Sequence, residues 1–297
     1  MTLQQAQKES PSPAAPSALA DFLRAHRARI TPEQAGVATY GAIRRVPGLR
    51  REELAQLAGV SVNYYTRLEQ SEAMNPSPGV VTALARALQL DEDAAAYLHT
   101  IAGTTQPAAS GMTEAEDSEA DMSFTFDRLV EHMPGTAAIT LSATNDVLSY
   151  NQLSHQLFFS HLDPAEQAVF NRWNTHRLLF TDPSTRGLYR YWNEEAALAV
   201  ASLRFHAASA PDDAAVQALV GELCVTSSEF ARLWAEHPVR RCTRGAKHLI
   251  HPEYGELDLE YQVLHAPDGD GRRILIHTAA PGTTSAGALS LMRESAT

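Results

Sequence analysis

Residues 51–70, REELAQLAGVSVNYYTRLEQ, constrain this chain more than any other stretch. A short helical pattern stops at Gly59, and a second begins behind Ser61. Glycine supplies the left-handed backbone of an abrupt helix stop, and a serine oxygen caps the next helix. Two short helices three residues apart pack at a steep angle only if their contact is small, and Ala55 supplies that contact. Val60, Tyr65 and Leu68 are expected to fill the space between them, with Leu54 and Ala58 behind.

The opposite side of the second helix carries Val62, Asn63, Thr66, Arg67 and Gln70, whose spacing forms a single stripe. A polar stripe alone is the usual solvated face of an amphipathic helix. The Ala-x-x-x-Gly-Val-Ser arrangement makes it a candidate helix-turn-helix reading face. Arg67 suits guanine, Asn63 suits adenine, and Val62 and Thr66 suit a thymine methyl. Arg51 at the first helix's N-terminus, Gln56 and Ser61 are candidate phosphate contacts.

The net charge of −11 argues at first against a nucleic-acid partner. Its distribution reverses the argument. From Arg24 to Arg67 eight basic residues stand against three acidic ones, whereas Glu114, Glu116, Asp117, Glu119 and Asp121 crowd a segment without a base. A basic segment in an acidic chain fits a local phosphate-facing surface.

The chain of 297 residues divides by composition. Residues 1–17 are read as a disordered tail, 18–103 as a five-helix domain, 104–123 as an acidic linker, and 124–297 as a second domain. In the first domain Leu19, Phe22 and Leu23 share a helix face. Ser77 and Pro78 open a helix expected to bury Val80, Val81, Leu84 and Leu88. Asp91 caps the next, with Tyr97, Leu98 and Ile101, closing at Gly103.

In the second domain TAAITLSATNDVLSYN reads as two strands around Asn145-Asp146, and GELDLEYQVLHA as a half-buried antiparallel strand. A turn at Asp268-Gly269 and Asp270-Gly271 returns RILIHTAA as its partner. Helices are expected at 186–209 and 212–223. The pattern predicts an antiparallel sheet with helices on one face, so the fold class is mainly α with an α+β second domain.

LRREELAQLAGVSVNYYTRLEQ and NPSPGVVTALARALQLDEDAAAYLHTIAG closely resemble helix-turn-helix regulators of the xenobiotic-response-element (XRE) family. Together with LLFTDPSTRGLYRYW, LVGELCVTSSEFARLWAEHPV and HPEYGELDLEYQVL they resemble a bacterial subgroup with a C-terminal MmyB-like ligand-binding domain. The resemblance implies a PAS-like second domain that holds a small, fatty-acid-like molecule between sheet and helices. It also implies that Val62, Asn63 and Arg67 read bases while Arg51, Gln56 and Ser61 hold the backbone. The family has Gly then Arg after LEQ. Ser71 and Glu72 stand here, so a C-cap glycine and a phosphate contact are lost.

Phe158, Phe159, Phe180, Tyr189, Trp192 and Phe205 are candidate pocket residues, although such side chains are also ordinary core. Arg240, Arg241, Arg244, Lys247, His248 and His251 form a basic cluster that either meets a carboxylate, with Arg241 and His251 as first candidates, or blunts a sheet edge. GxSxG, GxGxxG, P-loop and HExxH patterns are absent, so no enzyme, cofactor or metal is expected. Cys224 and Cys242 are expected to be unpaired. No apolar run of spanning or signal-peptide length occurs. The expectation is a cytoplasmic, homodimeric, ligand-responsive transcription regulator, reading an inverted repeat in double-stranded DNA.

Overall fold

The computed structural model describes residues 18–37, 47–72, 75–104, 126, 128–133, 135–165, 173–210, 213–266 and 271–295. The chain forms two compact units, Met1–Ala108 and Ala109–Thr297. The expected tail, most of the expected linker and the Asp268–Asp270 turn lie outside the described residues.

The first unit holds α1 (Ala18–Arg29), α2 (Arg51–Ala58), α3 (Val62–Glu69), α4 (Pro78–Ala87) and α5 (Glu92–Ile101). Its core is the buried apolar set Phe22, Leu23, Leu49, Leu54, Tyr65, Leu68, Leu84, Leu88 and Leu98. Val60, Val80 and Ile101 are only half-buried, because they sit at the margins of their packed faces. Gly59 adopts φ +67°, and the Val60 amide closes back onto Ala55 O at 3.0 Å. Ala55 is fully buried at the α2–α3 contact. Asp91 accepts from the Ala94 amide at 2.8 Å, but Ser77 makes no side-chain cap bond to α4.

The second unit is built on β1 (Ala137–Leu141), β2 (Val147–Tyr150), β3 (Arg244–His251), β4 (Gly255–His265) and β5 (Arg273–Thr278). They form one antiparallel sheet in the order β2-β1-β5-β4-β3. Between β2 and β3 run α6 (Gln152–Ser154), a π-helical turn (His155–Phe159), α7 (Thr175–Thr181), α8 (Pro183–Leu188), α9 (Trp192–Ser209), α10 (Ala214–Thr226) and α11 (Ser228–Ala235), and α12 (Thr284–Ser295) ends the unit.

The register sets the sheet's inner face. Lys247 pairs with Leu259, Tyr261 with His277, and Ile139 with Leu275, so alternate residues of four strands point together. Over this face Leu157, Phe158, Phe159, Leu188, Leu289 and Met292 join Ile139, Leu249, Leu257 and Leu259 in one apolar cluster. The helices keep a second core of their own around Leu179, Trp192, Val200, Leu203, Leu219, Leu223 and Phe230.

Two expectations change. The sheet is covered on more than one face, since Val130 packs on Ala138 and Ile274 on its other side. The helix expected at 186–209 is broken. Tyr189 bridges to Leu249, and the Arg190 amide donates to His248 O at 2.9 Å. Edge strand β3 thus captures the backbone at 189–190, and α9 starts only at Trp192. The helix expected at 212–223 runs from Ala214 to Thr226.

Candidate functional site

In the first unit the outer side of α3 is presented as its spacing requires. Val62, Asn63, Arg67 and Gln70 are exposed, and Thr66 is half-buried. The Thr66 hydroxyl donates to Val62 O at 2.8 Å, which leaves its methyl as the outward chemistry. Ser61 Oγ accepts from the Tyr64 amide at 3.1 Å, so its own O–H is left to donate away from the helix. Gln56 is exposed on α2.

Beneath this face lies a network that the sequence reading did not single out. Glu69, 2% exposed, accepts from Arg27 Nε, Arg51 Nε and the Tyr65 hydroxyl, each at 2.6 Å. Burial by itself would raise the Glu69 pKa, but the bonds from Arg27, Tyr65 and Arg51 outweigh it and hold the carboxyl below its ordinary value. Arg27 also donates to Leu49 O at 2.7 Å, tying α1 to the segment that leads into α2. A buried carboxylate with this many donors is a structural clamp. It joins α1, α2 and α3 and sets the angle at which α3 is presented.

The clamp changes the reading of two sequence features. Arg51 is held by Glu69 and is first a tie within the fold, although its side chain remains 44% exposed. The basic excess counted along the sequence is also not all surface, because Arg27 is turned inward to the same carboxylate. Arg44 and Arg45 lie outside the described residues. After α3, Ser71 takes the position of the missing glycine in the left-handed region at φ +60°. The Glu72 amide donates to Arg67 O at 2.8 Å, so the helix-ending bond survives on a strained residue.

The second unit holds a cavity of about 120 Å³ between α9 and the inner sheet face. None of its lining residues is exposed. Phe158, Phe159, Leu178, Leu188, Leu198, Val263 and Leu275 make most of the wall apolar. Six buried polar residues interrupt it: Asn145, His176, Thr185, Lys247, Arg273 and His277.

Arg273 is the unusual one. It is 5% exposed, and its guanidinium donates to Ser142 O at 2.8 Å, to Gly271 O and to Asn145 Oδ1. All of these are neutral oxygens, and among the described residues no carboxylate pairs with it. Burial pushes its pKa down to about 10, so it stays charged at neutral pH. Lys247, by contrast, is paired with Glu195 of α9. Burial holds His176 at a pKa of about 4 and His277 at about 3, so both imidazoles are neutral. His277 meets the β1 backbone at Ala137, its register partner.

Of the expected pocket residues, Phe158, Phe159 and Tyr189 line this cavity. Phe180 and Trp192 do not. They belong to the helical core, where Phe180 packs edge-on against Phe230 and Trp192 Nε1 donates to Leu179 O at 3.0 Å. Phe205 and Arg241 line a separate outer cavity. His251 points inward, but Nε2 bonds Gln156 O at 3.0 Å, away from the cavity. His248 faces the opposite side of β3 and meets Asp258 at 2.6 Å. Of the basic cluster, only Lys247 reaches the inner cavity. The signal that could have found Arg273 and His277 is strand parity: in RILIHT they flank Leu275 at a period of two and share its face.

Both cysteines are unpaired. No helix among the described residues is long and apolar enough to cross a membrane. The family model described as "MmyB-like transcription regulator ligand binding domain" matches residues 122–292, and that of a "Helix-turn-helix domain" matches 18–98. No curated protein matches the chain.

Proposed function

Because the chain belongs to the family of transcription regulators with an MmyB-like ligand-binding domain, behind a helix-turn-helix DNA-binding domain, we propose that the occupant of its inner cavity sets its affinity for operator DNA. The proposed ligand is an apolar molecule with one anionic head, such as a fatty acid. The observation that carries this reading is Arg273: a buried cation with only neutral partners, at the wall of an otherwise apolar cavity. A carboxylate there would gain charge-assisted bonds from Arg273, while its chain lay against Phe158, Leu198 and Leu275.

On the DNA side, Asn63 and Arg67 are proposed to read base edges, with Val62 and Thr66 touching thymine methyls and Gln56 and Ser61 holding phosphates. Arg51 retains a proposed phosphate role as well as its tie to Glu69. One such helix covers few base pairs, so a homodimer on an inverted repeat is proposed, with half-sites about 34 Å apart. Release of DNA on ligand binding, as in a repressor, is the proposed sign.

Selection of bound duplexes from a random pool tests the DNA half. The full-length protein should enrich an inverted repeat, and Asn63→Ala with Arg67→Ala should abolish the enrichment while leaving salt-dependent binding. Equal enrichment by wild type and the double variant would remove α3 as the reader.

A further inference from the structure

The residues lining the inner cavity are buried or half-buried, so an occupant enters past side chains that partly cover it. A second cavity of about 250 Å³ adjoins it, lined by Ser202, Phe205, His206, Arg241, Cys242 and His265. Ser202 and Cys242 line both cavities.

The two spaces follow one track. On α9 the inner cavity takes Glu195, Leu198, Ala199 and Ser202, and the outer one takes Ser202, Phe205 and His206. These positions form a single helical stripe, about 16 Å long at 1.5 Å per residue. On β4 the same inner-face parity runs from Tyr261 and Val263 in the inner cavity to His265 in the outer. Helix and strand thus form two walls of one channel, interrupted where Ser202 meets Cys242. Outside the interruption, Arg241 and His265 are exposed, so the outer cavity opens to solvent. The Arg241 guanidinium lies 4.9 Å from the Phe205 ring centre, and Arg240 and Arg244 are exposed nearby in the chain.

We propose that the outer cavity is the portal to the ligand site, that Ser202 and Cys242 are its gate, and that the Arg240–Arg244 cluster draws anions to its mouth. The proposal rests on the reading of the inner cavity as a site for an anionic amphiphile. It gives a role to the basic cluster of the sequence, of which only Lys247 lines the inner cavity. The gate residues are small, and the strap that carries Cys242 is held to α9 by a long bond from the Arg240 amide to Ala201 O, at 3.3 Å. Outward movement of the strap would join the two spaces. Positive charge at a mouth raises association rates and makes them fall with salt.

Stopped-flow association of parinarate, a fatty-acid anion that fluoresces on burial, tests this with the full-length protein. Filling the gate in Ser202→Phe should slow association by tenfold or more. Arg241→Glu should slow association severalfold at low salt and flatten its salt dependence. A second route avoids any folding defect. In a Cys224→Ser background, methyl methanethiosulfonate converts Cys242 to its methyl disulfide, and the adduct should slow association in the same way. Unchanged association rates in the adduct and in Arg241→Glu, with binding retained, would place the portal elsewhere. If the folded wild-type protein binds no parinarate, the reading of the inner cavity fails and the portal fails with it.

Discussion

Each unit of this protein buries a charge, and the two charges have opposite standing. Glu69 in the helix-turn-helix unit is saturated by Arg27, Arg51 and Tyr65. Arg273 in the ligand unit has carbonyl oxygens and no counter-ion. The first arrangement serves rigidity, since a buried charge that meets all its partners locks the elements that bear them. The second is an invitation, since a buried charge without its opposite gains most from a ligand that brings one. The first unit presents its polar stripe outward on a fixed frame, whereas the second carries its unpaired charge at the wall of an inner cavity.

The largest expected effect breaks the first arrangement. Glu69→Leu leaves the inward-turned Arg27 guanidinium without its counter-ion and should cost about 3–5 kcal/mol in urea unfolding of the first unit. A loss below about 1 kcal/mol would mean that the clamp does not organise α1–α3.

Acid should separate the two units. His176 and His277 are depressed to about 4 and about 3, against an ordinary value of 6.5. The unfolded chain therefore takes up their protons first. The stability they contribute is complete above pH 6.5 and drains away as pH falls toward their folded values. Glu69 is also depressed, but from 4.5, so its contribution is intact above that pH and is lost only as pH falls through its folded value. Thermal unfolding between pH 7 and pH 4.5 should show the ligand unit weakening while the first unit holds. Parallel weakening of both would contradict the neutral-histidine wall.

Arg273→Leu sharpens the comparison. It removes a donor from neutral oxygens only, so it should cost about 1–2 kcal/mol, less than the loss of Glu69. Parinarate affinity should fall at least tenfold. A variant that binds parinarate normally would show that the guanidinium is a structural group like Glu69. The smallest effect is expected from Ser71→Gly, which relieves a left-handed serine and should stabilise the first unit by about 1 kcal/mol.

The two units also differ in how much of them could be read beforehand. The bounds of α2 and the stop at Gly59 were legible because caps and apolar spacing are local signals. So was the outward set Val62, Asn63 and Arg67. The Glu69 clamp was not legible, because Arg27 lies 42 residues away and nothing local marks a glutamate as buried. In the ligand unit the strands were legible from alternation, yet the cavity was misassigned in most of its residues. Phe180, Trp192 and Phe205 have the right chemistry, but helix packing sends the first two to the helical core and Phe205 to the outer cavity. Density of charge drew the reading to Arg240–His251, whereas inner-face parity selects Lys247 and Arg273. A cavity depends on which strands become neighbours, and that is a long-range property.

The central claim is that the cavity and the reading helix are energetically coupled, and reciprocity makes it directly measurable. Parinarate affinity of the full-length protein should be measured alone and then with a saturating selected duplex. Coupling predicts that the duplex weakens parinarate binding by roughly 5- to 150-fold, the same factor by which parinarate weakens DNA binding. Identical affinities with and without duplex would contradict the account and leave the second unit as a dimerisation or recruitment module.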